Sequence, residues 1–144
     1  MTSPTMMSPA TQDAGNGSRL LMAYRIVAAL FAVAILEQAL TASLGFFDAR
    51  PELIDVHRQI GDGLALLALI GAGIAIYGNI RGVIDRRLMW IAIALVPLVI
   101  SQLMMGYATR ENTTAIAWHI PLGVALMSLT TANAVLAAIP ARRR

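Results

Sequence analysis

The chain has 144 residues, of which 58% are apolar and only 13% are charged, a balance outside the usual range of soluble domains. All 11 basic residues are arginine and the formal net charge is +3, but the arginines flank apolar runs and form no patch interleaved with aromatic residues. This arrangement argues against nucleic-acid binding. The absence of cysteine excludes disulfides, thiolate metal sites and a cysteine nucleophile.

The amino-terminal part, residues 1–18, is rich in Ser, Thr, Pro, Gly, Asn and Met and has no apolar periodicity. We predict a disordered cytoplasmic tail here. The first apolar segment runs from Leu20 to Phe47 and is interrupted only by Arg25 and by Glu37-Gln38. It is too long for the core of a signal peptide, so we predict that it crosses a membrane as a helix.

Three more apolar segments follow, each after a short polar turn, over about residues 56–77, 88–107 and 115–139. Pro97 lies near the middle of the third segment, where neighbouring membrane helices tolerate it. Each segment reaches the roughly 20 residues that cross a hydrocarbon layer. The predicted fold is an all-α, integral membrane four-helix bundle over residues 19–141, followed by a basic tail at 142–144.

The arginines are distributed unequally between the predicted loops. Most lie at the amino terminus, in the second turn and at the carboxyl terminus, whereas Arg50, Arg58 and Arg110 lie in the other two loops. The positive-inside rule therefore predicts a multi-pass protein of the cytoplasmic membrane with both termini inside (N-in/C-in). Short loops favour an up-down bundle, in which the second and fourth helices run parallel and diagonally opposite.

The two histidines of the chain, His57 and His119, lie near the starts of the second and fourth segments. Each is followed four positions later by a glycine, Gly61 or Gly123. Residues i and i+4 share a helix face, so each imidazole is expected beside a gap without a side chain, as a flat cofactor requires. The predicted topology places both rings at one depth near the outer face, where they could hold an ion or an iron porphyrin from opposite sides.

A weak internal repeat supports the pairing of the histidines. Its members in the first half are Gln38, Gly45, His57 and Gly61, and their counterparts in the second half are Gln102, Gly106, His119 and Gly123. The two halves are then two copies of one helical hairpin, related by an axis along the membrane normal.

Three stretches carry a resemblance to a known family: Ile54-Asp55-Val56-His57-Arg58, Gln102-Leu103-Met104-Met105-Gly106 and Trp118-His119. The pattern resembles the four-helix half-unit of the heme A synthase family and small four-helix membrane proteins with the same two histidines. The resemblance implies that His57 and His119 are the axial ligands of a heme, which we expect to be b-type. Arg58 and Arg50 lie where heme propionates would emerge, and guanidinium groups pair well with carboxylates. They could equally anchor the chain to lipid headgroups.

The chain also departs from this family. The family's synthases usually have eight helices in two such units, and this chain has one. Their acidic residue typically stands three positions before the histidine, whereas Asp55 stands two before His57. Many members carry a cysteine pair that is absent here. These departures bear on oxidative chemistry at heme more than on heme binding, so whether the protein is an enzyme stays open.

Two carboxyl groups fall inside the predicted membrane segments, those of Glu37 and Asp62. Such groups are costly in a bilayer and usually face the bundle interior. We expect Glu37 to face inward as a hydrogen-bonded neutral acid, with Gln38, Gln102 or Asn133 as its partner. Proton transfer linked to a redox centre or a quinone is the alternative role.

The leading interpretation is a cytochrome b-like protein that binds heme through His57 and His119, for electron transfer or a heme-related role. The alternative is a non-enzymatic structural or accessory membrane subunit, with interfacial histidines and with Gly61 and Gly123 packing against neighbouring helices. Helix packing is also the expected role of Gly71 and Gly73. A small transporter is disfavoured. Besides the lipid bilayer and heme, a quinone or protein redox partner and a homodimer stay open as partners.

Overall fold

The computed structural model describes residues 9–48, 50–108 and 113–139, and these residues form four α-helices. The helices are α1 (Pro9–Phe47), α2 (Pro51–Ile80), α3 (Arg86–Ala108) and α4 (Thr113–Ala138). Each contains a stretch long and apolar enough to cross a membrane, by length and composition. The prediction of an all-α chain with four such helices is therefore confirmed.

The start of α1 differs from the prediction for the amino-terminal tail. The helix begins at Pro9 and so includes residues 9–18 of the predicted tail, while residues 1–8 lie outside the described part of the chain. Extending an existing helix adds one backbone hydrogen bond for each residue fixed, whereas starting a new helix is unfavourable. A polar segment joined to a long apolar helix can therefore continue it. The tail 142–144 and Arg110 also lie outside the described residues.

The proline and glycine positions at the helix ends explain the two described turns. Pro51 occupies the first turn of α2, where its missing N–H has no intrahelical partner to lose. Gly82 adopts a φ of 67° between α2 and α3, a left-handed conformation that costs glycine little. Pro97 lies inside α3 as expected, and Pro121 lies inside α4.

The helices pack in a ring in which α1 and α3 each contact both α2 and α4. Consequently the two helices that carry the histidines are separated by the other two. One core cluster draws on all four helices and consists of Phe31, Ile35, Leu64, Ala68, Leu95, Val99 and Leu126. Leu64 and Leu126 each lie two turns after a histidine, so His57 and His119 lie at the same end of this cluster.

A second cluster lies toward the opposite end and contains Tyr24, which contacts the buried polar residue Asn133. The Tyr24 hydroxyl lies 2.8 Å from Oδ1 of Asn133 and 3.2 Å from the carbonyl oxygen of Leu88. Nearby, the Arg25 Nε–H donates to the carbonyl of Ala137 at 2.7 Å. These contacts tie α1 to both α3 and α4 and satisfy polar groups that would otherwise be costly in an apolar core.

The two glycines that were expected to mediate helix packing behave differently. A methyl group built on Gly71 would lie 3.4 Å from Cγ1 of Val27, so this buried glycine does bring α2 close to α1. At Gly73 the same methyl group would meet nothing within 4 Å, and the residue is exposed. The packing role predicted for Gly71 is confirmed, and the one predicted for Gly73 is wrong among the described residues.

Candidate functional site

The structure brings the two histidines together at one end of the bundle. His57 and His119 are each the seventh residue of their helix, and their ring centroids lie 6.5 Å apart with an angle of 70° between the ring planes. Both side chains are half-buried. Although α2 and α4 do not pack on each other, the imidazoles therefore meet in the space between these two helices.

Gln38 of α1 holds His57 through a reciprocal pair of contacts. The Gln38 side-chain amide donates to the carbonyl oxygen of His57 at 2.8 Å, and Nδ1 of His57 lies 3.0 Å from the carbonyl oxygen of Gln38. A carbonyl accepts only, so Nδ1 must carry the proton and the neutral ring keeps its lone pair on Nε2. No described residue forms a hydrogen bond with that Nε2 atom.

Gln102 of α3 contacts His119 differently, because its amide reaches both the main chain and the ring. Nε2 of Gln102 lies 3.0 Å from the His119 carbonyl oxygen and 3.2 Å from the ring atom Nε2. The carbonyl contact fixes the amide orientation, since two oxygens would repel each other there. Each of its two protons therefore has an acceptor, and the lone pair of His119 Nε2 is engaged.

Two polar atoms of this second arrangement are buried without a hydrogen-bond partner: Oε1 of Gln102 and Nδ1 of His119. In native proteins most buried polar atoms are satisfied, so each such atom calls for an explanation, such as a bound group or a rearrangement. The imidazole edge that includes Nδ1 faces Gly106. A methyl group built on Gly106 would lie 3.2 Å from Cε1 and 3.7 Å from Nδ1 of His119.

The spaces beside the two downstream glycines are filled by the glutamine amides. A methyl group on Gly61 would lie 3.4 Å from Oε1 of Gln38, and one on Gly123 would lie 3.0 Å from Nε2 of Gln102. The sequence predicted open gaps for a flat cofactor, whereas the structure uses both glycines to admit a neighbouring glutamine. This finding favours the packing interpretation of Gly61 and Gly123.

We refer to Gln38, His57 and Gly61 as the His57 half-site, and to Gln102, His119 and Gly123 as the His119 half-site. Sequence reasoning placed the two glutamines in the repeat but assigned them no role toward the histidines. The sequence did contain a signal for this role. A glutamine lies at matching positions of two apolar segments, and a side-chain amide in such a segment requires a polar partner.

Arg58 lies beside the histidine site and is paired with an acidic neighbour. Its guanidinium is 2.9 Å from a carboxylate oxygen of Asp55, and both side chains are substantially exposed. An exposed pair of this kind contributes little to stability. The guanidinium therefore remains accessible to a second anion, but its role toward a cofactor stays a prediction.

The two carboxyl groups in the apolar segments do not point into the bundle. Glu37 is exposed, and its three expected partners bond elsewhere: Gln38 to His57, Gln102 to His119 and Asn133 to Tyr24. The expectation of a buried Glu37 is therefore wrong. Asp62 is also exposed and accepts a 2.8 Å hydrogen bond from the Tyr107 hydroxyl.

The donor set limits which metal group the site could hold. No cluster of three or more His, Asp or Glu side chains suited to a metal occurs among the described residues, which leaves the two imidazoles. Two protein ligands suit a metal that brings its other donors, as heme iron does. Metal–nitrogen bonds of about 2 Å on each side, plus the ring radii, require a centroid separation of roughly 6 Å. The observed 6.5 Å fits this requirement.

The residues thus agree with an iron porphyrin in donor type and in the distance between the two rings. Binding would require Gln102 to move off Nε2 of His119, and the porphyrin would need the space that the glutamine amides fill beside Gly61 and Gly123. No protein family, curated protein or solved structure matches this chain. The family resemblance of the sequence therefore stays a prediction.

Proposed function

We propose that this protein is a multi-pass protein of the cytoplasmic membrane that binds one b-type heme between His57 and His119 near the outer face. The observation that carries the proposal is the meeting of the only two imidazoles of the chain, at matching positions of two helices, with centroids 6.5 Å apart. The role we infer is electron transfer or another heme-related process.

The proposed topology is an up-down bundle with both termini in the cytoplasm. Arg19, Arg25 and the arginines of the α2–α3 turn support it, because they mark one end as the cytoplasmic end. Exposed aromatic residues support the placement in the bilayer: on α3, Trp90 and Tyr107 are separated by roughly 26 Å, close to the thickness of the hydrocarbon layer. Reporter fusions at Gly17, Glu52, Asp85 and the carboxyl terminus test this topology, and an outside signal at Asp85 would contradict it.

Each protein group has a defined part in the proposed site. A bound heme would supply a one-electron redox centre. His57 offers a ring whose tautomer is held by the Gln38 carbonyl, a support that typically orients metal-binding histidines. His119 would supply the second nitrogen. Arg58, which pairs with Asp55 and is exposed, would attract the propionates. A quinone or a protein redox partner would approach from the outer end.

The decisive experiment is the visible spectrum of the protein purified in mild detergent from heme-replete cells. We expect a low-spin centre with sharp bands after reduction, as two neutral imidazoles on one iron produce. His57→Ala and His119→Ala should each abolish the low-spin signature, because either change leaves the iron with only one imidazole ligand.

A control variant separates ligation from folding. Gly63→Ala places a methyl group where nothing lies within 4 Å, and it should leave the spectrum unchanged. A colourless wild-type preparation that stays colourless on hemin titration would reject heme binding.

A second candidate is favoured by one specific observation. Both glutamine amides bond histidine carbonyl oxygens and fill the glycine spaces, an arrangement that stabilises helix packing without a cofactor. The protein would then be a non-enzymatic structural or accessory membrane subunit. The two candidates differ in the hemin titration, and a homodimer would be compatible with either.

A further inference from the structure

We propose that Gln102 blocks the metal-binding nitrogen of His119, so that the two histidines engage a heme in a fixed order, His57 first and His119 after Gln102 has moved. This inference rests on the proposed heme site and deepens it. Gln102 is thereby assigned as a positioning residue for the second ligand, a role that Gln38 does not have toward the first.

The His57 ring is held in one tautomer by the main chain of α1. Its Nδ1–H donates to a main-chain carbonyl oxygen of α1, which no side-chain change at position 38 removes. Nε2 has no hydrogen-bond partner among the described residues. His57 is therefore a preformed ligand, with its tautomer fixed and its lone pair available.

The His119 ring differs, because a side-chain amide contacts its Nε2 atom. The Gln102 amide lies 3.2 Å from its Nε2, and the donated proton occupies the lone pair that a metal would need. In the neutral ring the other proton must then be on Nδ1, which is buried without a partner and faces Gly106. Neither nitrogen of His119 is thus ready to bind a metal until the amide moves.

The Oε1 atom of Gln102 is buried without a hydrogen-bond partner. This oxygen stays without a partner while the amide faces His119, so the arrangement costs the free energy of desolvating an unpaired acceptor. Movement of the amide exposes the Nε2 lone pair of His119 and frees Oε1 to find a donor. The blocking contact is for this reason weaker than a fully satisfied hydrogen bond, and a ligand can displace it.

The first test examines the protein without heme. With histidine labelled with ¹⁵N in the ring, the spectrum contains four ring nitrogens, because the chain has two histidines. We expect both rings to carry their proton on Nδ1. Gln102→Met keeps the length of the side chain but removes its donor, and it should shift only Nε2 of His119.

The matched control is Gln38→Met. Gln38 donates to the main chain of His57 and not to its ring, so this change should leave the Nε2 signals of both histidines in place. A proton on Nε2 of His119 in the wild type, or an unchanged His119 spectrum in Gln102→Met, would overturn the blocking role.

The second test is the rate at which hemin produces the low-spin spectrum. Gln102→Met should accelerate this step by about three- to tenfold, the range expected for the loss of one neutral hydrogen bond. Gln38→Met should not accelerate it. If Gln102 only stabilised the bundle, its replacement would slow or weaken binding instead, which is the opposite sign.

The outcomes separate this inference from the proposed function. If the wild type takes up no hemin, the heme site itself is rejected, together with the binding order that depends on it. If hemin binds but Gln102→Met and the wild type form the low-spin centre at equal rates, the blocking role alone is overturned.

Discussion

The His57 and His119 half-sites use the same three residue types but leave their imidazoles in different states. Gln38 bonds the main chain of His57, while the ring is held by a carbonyl oxygen of α1. Gln102 bonds both the main chain and the ring of His119. In both, the glutamine reaches the histidine carbonyl because a glycine four residues later leaves room for it. A repeated sequence pattern thus reproduces the main-chain contact, whereas the glutamine amide reaches the ring only at His119.

The glycines at the other matched position also differ between the halves. Gly45 of α1 packs against Ile54 of α2, close to the turn that joins these helices. Its counterpart Gly106 of α3 packs against the imidazole of His119. In the second half the glycine therefore makes room for the histidine ring. In the first half it lets the two helices of the hairpin approach closely.

The largest expected difference between the half-sites concerns the affinity for hemin. His57→Ala removes the preformed ligand, whereas His119→Ala removes the one that Gln102 blocks. We expect hemin to bind His57→Ala about 10- to 100-fold more weakly than His119→Ala, the range typical of a metal-binding histidine without a partner to orient its ring, because Nδ1 of His119 has no such partner. Titration followed by absorbance measures both dissociation constants. Equal affinities of the two variants would show that the half-sites are equivalent.

The next effect concerns the stability of the two hairpins. A methyl group on Gly45 would lie 2.6 Å from Cδ1 and 3.2 Å from the main-chain nitrogen of Ile54, so side-chain movement alone cannot relieve it. Gly45→Ala should lower the free energy of unfolding by about 1–3 kcal/mol, as overpacking does. Gly106→Ala meets only the His119 ring, and it should cost less while displacing the ring ¹⁵N signals. Unfolding in detergent measures the first effect, and a larger loss for Gly106→Ala would reverse the assignment.

A smaller difference separates the two glycines that admit the glutamines. The methyl group of Gly123→Ala would lie 3.0 Å from Gln102 Nε2, closer than most real contacts, whereas that of Gly61→Ala would lie at an ordinary 3.4 Å from Gln38. We expect Gly123→Ala to cost about 1 kcal/mol, the value of one hydrogen bond, and Gly61→Ala to be nearly neutral. Adding Gln102→Ala should reduce the cost of Gly123→Ala, and strict additivity in this double-mutant cycle would contradict the contact.

The smallest effect is predicted for Glu37, which precedes Gln38 but faces outward. Glu37→Gln should change the free energy of unfolding by less than about 0.5 kcal/mol, as is usual for exposed positions. If heme binds, the pH dependence of its midpoint potential should be the same in this variant and in the wild type, because the carboxyl group lies outside the histidine site. Loss of that dependence would restore a proton-relay role.

Several features of the protein could be predicted from the sequence because they depend on local properties. Segment length and composition predicted four helices long and apolar enough to cross a membrane, since a run of about 20 apolar residues is recognisable in a sequence. The spacing of the histidines along similar segments led to the expectation that they share a depth, and the structure brings their rings to 6.5 Å. Each glycine at i+4 lies against a glutamine amide that bonds the histidine carbonyl, a contact that the sequence analysis did not predict.

Only the tertiary structure decided which polar side chain of α1 enters the bundle. Glu37 and Gln38 are neighbours in sequence, and their side chains point about 100° apart on a helix. Apolar side chains occur on all sides of α1, so its sequence does not indicate which face packs into the bundle. The rotation of the helix is set when it packs against α2 and α4. That packing turns Gln38 toward His57 and Glu37 outward, and in the same way it directs Gln102 onto the His119 ring.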